Sequence, residues 1–428
     1  MLDALQKALA IPELKRRVGF VLMMFLIFAI GAHIPVPGID RSKLAAIMGR
    51  GAGNLLGLVD VFSGGALRRM SIFAMGIAPY INASIIMQMM TIALPQLDAM
   101  QKEGESGRKQ IAKITRYLTV ALAAVQSFGM TFMFTQSGAH IDLLQRIQIC
   151  ITLTAGSSFL LWLGEQVTVK GVGNGVSLVI FAGILLSLPF QSQLILKQVH
   201  SGVVPWFNLV VLLTAFVLTV YAVVYITQGT RRIPIQHTKR VIGMRQTQAS
   251  SSFLPIKVNM AGVIPIIFAI SLMLLPATLA NAMPFIPTRI KQFLLYFNPG
   301  ANWISMTVYA VLVIGFTYFY TAIVMNVQEM SDNLRKYGNY IPGIRPGKPT
   351  YDYLERVVSR ITLAGAVFLA MIAVLQYIVP AETGFQTFTL VGGTSLLIIV
   401  GVAIETMQAI EAQLLMRNYE GFIRGGGQ

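Results

Sequence analysis

Leu58-Val59-Asp60-Val61-Phe62-Ser63-Gly64-Gly65-Ala66-Leu67-Arg68-Arg69 runs straight into Met70-Ser71-Ile72-Phe73-Ala74-Met75-Gly76-Ile77-Ala78-Pro79-Tyr80-Ile81-Asn82-Ala83-Ser84, and the chain then stays apolar as far as Leu94. The second part is long enough to cross a bilayer, since ~20 helical residues at ~1.5 Å each span the hydrocarbon core. The first part is broken by Asp60, two arginines and a Gly-Gly pair. This reads as a short amphipathic segment hinged by Ser63-Gly64-Gly65 onto a membrane helix. Gly76, Pro79, Asn82 and Ser84 cluster in that helix, while Ile77 and Ile81, four apart, share one face. Such residues are tolerated at membrane depth where neighbouring helices or a water-filled cavity satisfy the loosened backbone. The helix is therefore expected to line something.

The composition extends this reading to the whole chain. With 428 residues, 55% hydrophobic and only 12% charged, and a mean hydropathy of +0.67, this is a polytopic membrane protein and not a soluble domain. Ten apolar spans are expected: Val18–Ile34, Ser71–Leu94, Tyr117–Thr135, Ile147–Leu163, Gly173–Phe190, Leu209–Ile226, Met260–Ala282, Trp303–Val327, Ile361–Val379 and Leu390–Ala412. The single cysteine, Cys150, lies in the fourth span, so no intramolecular disulfide can form. A net charge of +16 invites a nucleic-acid reading, but the distribution of the charge opposes it. With the N-terminus placed in the cytosol, 24 of the 33 Lys and Arg fall on the cytosolic side. That follows the positive-inside rule and puts both termini in the cytosol.

Leu2–Leu14 carries Leu2, Leu5, Leu9 and Ile11 between lysines and is expected to lie as an amphipathic helix on the cytosolic interface. The first span follows Lys15-Arg16-Arg17 but ends in Ala32-His33-Ile34-Pro35, without a small-x-small cleavage site, so it reads as retained. Pro35-Val36-Pro37-Gly38 ends it, and a loop with Gly49, Gly51, Gly53 and Gly57 leads back to the opening stretch. Five spans precede a break at Pro189–Pro205 and five follow, which suggests two halves, 1–190 and 191–428, of the kind built from repeats of opposite orientation. No sequence repeat supports the symmetry, which rests on the count. The fifth span opens with Lys170-Gly171-Val172-Gly173-Asn174-Gly175. A nucleotide loop is disfavoured, because no strand precedes it and no acidic residue follows at ribose spacing. The glycines are expected instead to let the helix start close to its neighbours. Ile180 and Ile184 again sit four apart. Two cytosolic loops of roughly 30 residues, 228–257 and 328–360, are expected, basic and longer than a connecting turn needs. They contain Arg231-Arg232-Ile233-Pro234-Ile235, Lys239-Arg240 and Tyr337 to Gly347, and read as docking surfaces for a cytosolic partner.

The chemistry that is missing narrows the function. Glu405 in the last span is the plain intramembrane acid, with Glu165 and Glu411 at span ends, whereas a coupled pump would need several facing one another. There is no HExxH, Walker-type loop or paired Cys, and His33, His140, His200 and His237 are scattered. No metal site, cofactor or catalytic constellation is expected, which leaves a passive conduit driven by partners. A solute transporter would need a polar midplane cavity. A membrane enzyme would need a base beside Ser84 or Ser271, and none is in view.

Several long motifs in order carry a resemblance over essentially the whole chain. They are Phe62-Ser63-Gly64-Gly65-Ala66-Leu67, Pro79-Tyr80-Ile81, Gly171 to Gly175, Lys257 to Pro265, Pro342-Gly343-Ile344-Arg345-Pro346-Gly347 and Val391-Gly392-Gly393-Thr394-Ser395. The chain resembles the SecY family, the channel subunits of bacterial protein translocation. The resemblance implies an all-α fold of ten transmembrane helices in two pseudo-symmetric halves around a pore, closed by a plug from Leu58 to about Arg69, which includes Asp60, Val61, Phe62, Ser63, Gly64, Gly65, Ala66 and Leu67. It implies a pore ring from spans two, five, seven and ten, here Ile77, Ile81, Ile180, Ile184, Ile267 and Ile398. An apolar ring gates by dewetting and can seal around a passing chain. The halves are expected to open like a shell, with a lateral gate between spans two and three and spans seven and eight, to which Asn82, Gln88 and Leu275 belong. Arg231, Arg232, Lys239, Arg240, Arg345 and Lys348 would dock the ribosome or the motor ATPase SecA. Further implied partners are the small subunits SecE and SecG, signal-bearing preproteins and lipid, in the bacterial cytoplasmic membrane. The glycine-rich tail, Gly425-Gly426-Gly427-Gln428, matches no family motif.

Overall fold

The computed structural model describes residues 11–37, 60, 63–136, 142–237, 241–242, 245–246, 251–282, 287, 289–290, 294, 296–297, 302–385 and 394–425. Each expected span meets a helix: α1 (Pro12–Gly31), α2 (Ala78–Ala93), α4 (Glu105–Gln136), α5 (Leu143–Lys170), α6 (Gly175–His200), α7 (Trp206–Gln228), α8 (Ile264–Ala282), α9 (Trp303–Val324), α11 (Lys348–Thr383) and α12 (Thr394–Gly425). Two short helices, α3 (Pro95–Lys102) and α10 (Val327–Lys336), lie between them. Six helical segments among the described residues are long and apolar enough to cross a membrane by length and composition alone. The expected Leu2–Leu14 helix falls largely outside the described residues, as do Gly49 to Gly57 and the last three residues of the tail.

Helix starts follow local chemistry. Asp142 and Gln145 form a reciprocal cap on α5. Asn174 accepts hydrogen bonds from the Val176 and Ser177 amides at the start of α6. The glycine reading of this start holds geometrically: a Cβ on Gly175 would overlap the Gly164 carbonyl of α5. The Gly175 amide also donates to Thr168 Oγ1 at 2.9 Å. α6 continues through Pro189 to His200, past the break expected there, and the turn into α7 comes at 201–205. The second span also differs from its expected start at Ser71. Ser71 is a bridge residue and 72–77 are turns, because Gly76 takes φ +56° and Pro79, near the helix start, disfavours helical backbone before it. Ile77 thus caps α2 from outside the helix, yet the Ile81 amide still donates to its carbonyl at 3.1 Å.

One group of helices packs as α2 on α4, α4 on α5, α5 on α6, and α1 against both α5 and α6. A second packs as α8 on α9, α9 on α11, and α7 against α11 and α12. Contacts of α6 with α12 and of α4 with α8 join them.

The first basic segment is not a loop, as its length suggested, but an antiparallel hairpin of β1 (Thr230–His237) and β4 (Ser251–Lys257), with β2 (Val241–Ile242) and β3 (Arg245–Gln246) pairing between them. Alternation explains it: Ile233 and Ile235 are buried while Arg232 and Pro234 between them are exposed. Pro234 is accommodated because β5 (Asn339–Tyr340) pairs with β1 only at Gln236 and His237. The hairpin's apolar face joins Ile233 and Ile256 to Ile341 of the second basic segment and to Leu354 and Val358 of α11.

Candidate functional site

The six isoleucines come from four helices and the turn before α2 and meet in one apolar cluster. Ile77, Ile184 and Ile398 are buried within it, and Ile81, Ile180 and Ile267 are partly buried against it. α2, α6, α8 and α12, with the turn before α2, thereby converge on one apolar cluster. The i,i+4 spacing put Ile77 with Ile81 and Ile180 with Ile184 on shared faces, and the grouping of all six rests on motif alignment. Ala66, from the segment before α2, lies in the same cluster with no exposed surface.

That segment packs into the bundle as a string of turns. Asp60 is helical and residues 63–70 follow as turns, with Gly64 at φ +73° and Gly65 at φ +76°. Val61 and Phe62 lie outside the described residues, and so do Leu58 and Val59. Asp60 organises the segment: its carboxylate accepts the Arg68 amide at 2.8 Å and pairs with the Arg68 guanidinium at 3.3 Å. Its carbonyl accepts the Ser63 hydroxyl at 3.1 Å and the Gly65 amide at 2.8 Å. Burial pushes the Asp60 carboxyl above the usual carboxylate range, opposed by the hydrogen bond from the Arg68 amide and the charges of Arg68 and Arg69. The Arg68 guanidinium lies 4.2 Å from the centre of the Phe190 ring on α6, a cation–π contact. Arg69 contacts His33 Nε2 at 2.6 Å while His33 Nδ1 sits 2.8 Å from the Ala29 carbonyl, which only a donor nitrogen satisfies. Gly64 is pressed onto α6 so closely that a Cβ there would stand 3.1 Å from the Gly183 carbonyl. Leu67 packs with Ile149 and Leu153 of α5. A β-bridge between Pro35 and Ser71 fixes the end of the segment to the chain leaving α1.

The hold of Arg68 on Asp60 and Phe190 was not foreseen. The sequence showed the arginines only as interruptions, and a contact reaching eight residues back through a Gly-Gly turn leaves no periodic trace.

The remaining expected residues are placed as follows. Asn82 and Gln88 are half-buried on α2, and Gln88 Nε2 donates to Ser84 Oγ of the same helix at 3.4 Å. Leu275 is on α8, with its side chain outside the described residues, as are Lys239 and Arg240. Arg231, Arg232, Arg345 and Lys348 are exposed. The two basic segments form one surface, since β5 pairs with β1 and the Tyr340 hydroxyl donates to Gln236 Oε1 at 2.9 Å. Arg345 is held in a fixed turn, where its carbonyl accepts the Thr350 hydroxyl at 2.9 Å. Glu165 pairs with Arg116. Among the described residues no His, Cys, Asp or Glu group could hold a metal ion.

The SecY family model matches residues 71–407. A protein translocase subunit SecY from Halalkalibacterium halodurans is 42% identical over 99% of this chain and all of its own length. The chain belongs to the SecY family. It is a protein-conducting channel subunit in a membrane, not an enzyme. A solved structure described by the plug domain of the SecY protein, which stabilises the closed state and maintains a membrane seal, superposes with a TM-score of 0.69 at 19% identity, over 93% of this chain and 92% of that one. Sec61 in a canine ribosome-channel complex superposes at 0.64 and 17% identity, over 93% and 92%. These likenesses give the SecY fold: ten helices in two halves around a pore.

Proposed function

We propose that this chain passes unfolded preproteins through the constriction formed by Ile77, Ile81, Ile180, Ile184, Ile267 and Ile398, with 60–67 as the plug that closes it at rest. The observation that carries this reading is the convergence of all six isoleucines with plug residue Ala66 in one apolar cluster. Isoleucine offers water and ions no hydrogen bond, so the closed cluster is a barrier by dewetting and, once opened, a greasy collar around a moving chain. The two halves, 1–190 and 191–428, move apart to release membrane segments between α2 and α4 on one side and α8 and α9 on the other, past Asn82, Gln88 and Leu275. The contact of α4 with α8 is the seam that this motion breaks.

The platform built by β1, β4, β5 and the start of α11 receives the driving partner. Arg231, Arg232, Lys239, Arg240, Arg345 and Lys348 supply the charge for it, either to the phosphates of a ribosome or to the motor ATPase SecA. In this reading SecE and SecG complete the complex. The protein sits in the bacterial cytoplasmic membrane with both termini cytosolic, as the positive-inside distribution supports.

Ion conductance across vesicles holding this chain with its clamp subunit tests the proposal. The resting vesicles are expected to be silent, and addition of a ribosome or motor ATPase loaded with a signal-bearing chain is expected to open a conductance. Conductance at rest that the partner leaves unchanged would contradict it.

A further inference from the structure

The helix that carries Ile398 begins only one turn earlier, at Thr394, and its start is buried: Thr394 is fully buried, and Ser395, Leu396, Leu397 and Ile398 are each at most 3% exposed. The first amides of a helix have no intrahelical acceptor, and away from water each needs one from elsewhere. Here the Thr394 amide donates to Gln376 Oε1 on α11 at 3.4 Å. Gln376 is 2% exposed. Its amide lies beside the hydroxyls of Tyr309 on α9 and Tyr377 on α11. Those two rings meet edge-on, with centroids 6.0 Å apart. Gln376 Nε2, both phenol oxygens and Thr394 Oγ1 are buried, and no well-formed hydrogen bond satisfies them among the described residues, so several polar groups from three helices share one apolar neighbourhood. Around them the first turn of α12 divides: Leu396 and Leu397 pack with Tyr309, Leu369 and Ala373, whereas Ile398 enters the constriction cluster. A shift of this turn therefore moves Ile398 directly.

We propose that Gln376 is a positioning residue for the pore constriction, holding the first turn of α12, and through it Ile398, by accepting the Thr394 amide across from α11. This rests on the reading of Ile398 as part of the ring. A buried amide group among apolar helices is retained at a cost unless it is paired. Its side-chain oxygen performs here the capping task that a Ser or Asp would perform from within the helix.

The test uses the channel with its clamp subunit in vesicles and reads resting ion conductance together with the thermal midpoint of the purified complex. Gln376→Leu keeps the bulk and removes the acceptor. It is expected to raise resting conductance about threefold to tenfold, as one ordinary hydrogen bond shifts an equilibrium by that factor. Gln376→Glu, neutral when buried, retains an acceptor oxygen and is expected to stay within about twofold of the parent. Leakage by both variants, or by neither, overturns the proposal, as does a fall in midpoint with no leak. Ile398→Asn in parallel separates the two levels. If it leaks and Gln376→Leu does not, only the positioning role fails; if it does not leak, the ring reading fails. Should Gln376→Leu not accumulate, Gln376→Met, unbranched, of similar length and without the amide oxygen, replaces it. A conductance between those of parent and Ile398→Asn supports the lock, and parental tightness overturns it.

Discussion

Ile398→Asn is expected to make the resting channel leak small ions between roughly fivefold and a hundredfold more than the parent. Ile398 is 3% exposed and shares its cluster with isoleucines from α6 and α8 and with Ala66 of the proposed plug. An amide placed there has no partner in the closed state, and an unpaired buried polar group costs about 1–3 kcal/mol, each 1.4 kcal/mol being a tenfold shift. The closed state bears that cost, while an open, wetted pore does not. The substitution therefore moves the equilibrium towards the conducting form and also gives water a hydrogen-bonding site at the proposed constriction. Defective signal sequences are expected to be accepted more readily, because less partner energy is needed to reach the open state. Single-channel recording and export of a signal-impaired preprotein measure both effects. A sealed channel with parental selectivity would remove Ile398 from the gate.

The second large effect is expected at the plug. Gly64 takes φ +73° and a Cβ there would meet the Gly183 carbonyl at 3.1 Å. Gly64→Val adds left-handed strain of about 1–2 kcal/mol or more for a branched residue and drives its methyl groups into the backbone of α6. Gly65, at φ +76°, has open space where its Cβ would be. Gly65→Ala therefore carries the strain alone. Resting conductance is expected to rise on the order of tenfold or more for Gly64→Val and only a few-fold for Gly65→Ala. Deletion of 62–67 is expected to exceed both. Equal effects of the two substitutions would show that strain in the turn, not contact with α6, seats the plug.

Much of this architecture was legible because membrane helices write a strong signal. Length and hydropathy placed a span at ten of the described helices, and the glycines of Gly171 to Gly175 mark a close helix start. The errors have local causes. Hydropathy does not distinguish helix from apolar turns, so 71–77 were merged into α2 although Gly76 and Pro79 marked the true start. The hairpin of β1 and β4 was masked by its basic residues, even though Ile233 and Ile235 alternate with exposed neighbours. That the two basic segments form a single platform through Gln236 and Tyr340 could not be read, because the pairing joins residues 104 apart. For the same reason Arg68 over Phe190, and Gln376 at the start of α12, emerged only from the fold.

The central claim is that the isoleucine cluster is the path of the translocating chain. A photo-reactive side chain placed in turn at Ile81, Ile180, Ile184 and Ile267, and at the exposed positions Leu213 and Val217 of α7, tests it against a preprotein arrested midway. The account predicts cross-links to the arrested chain from the four cluster positions and none from α7. Cross-links from α7 alone, with the cluster silent, would contradict it.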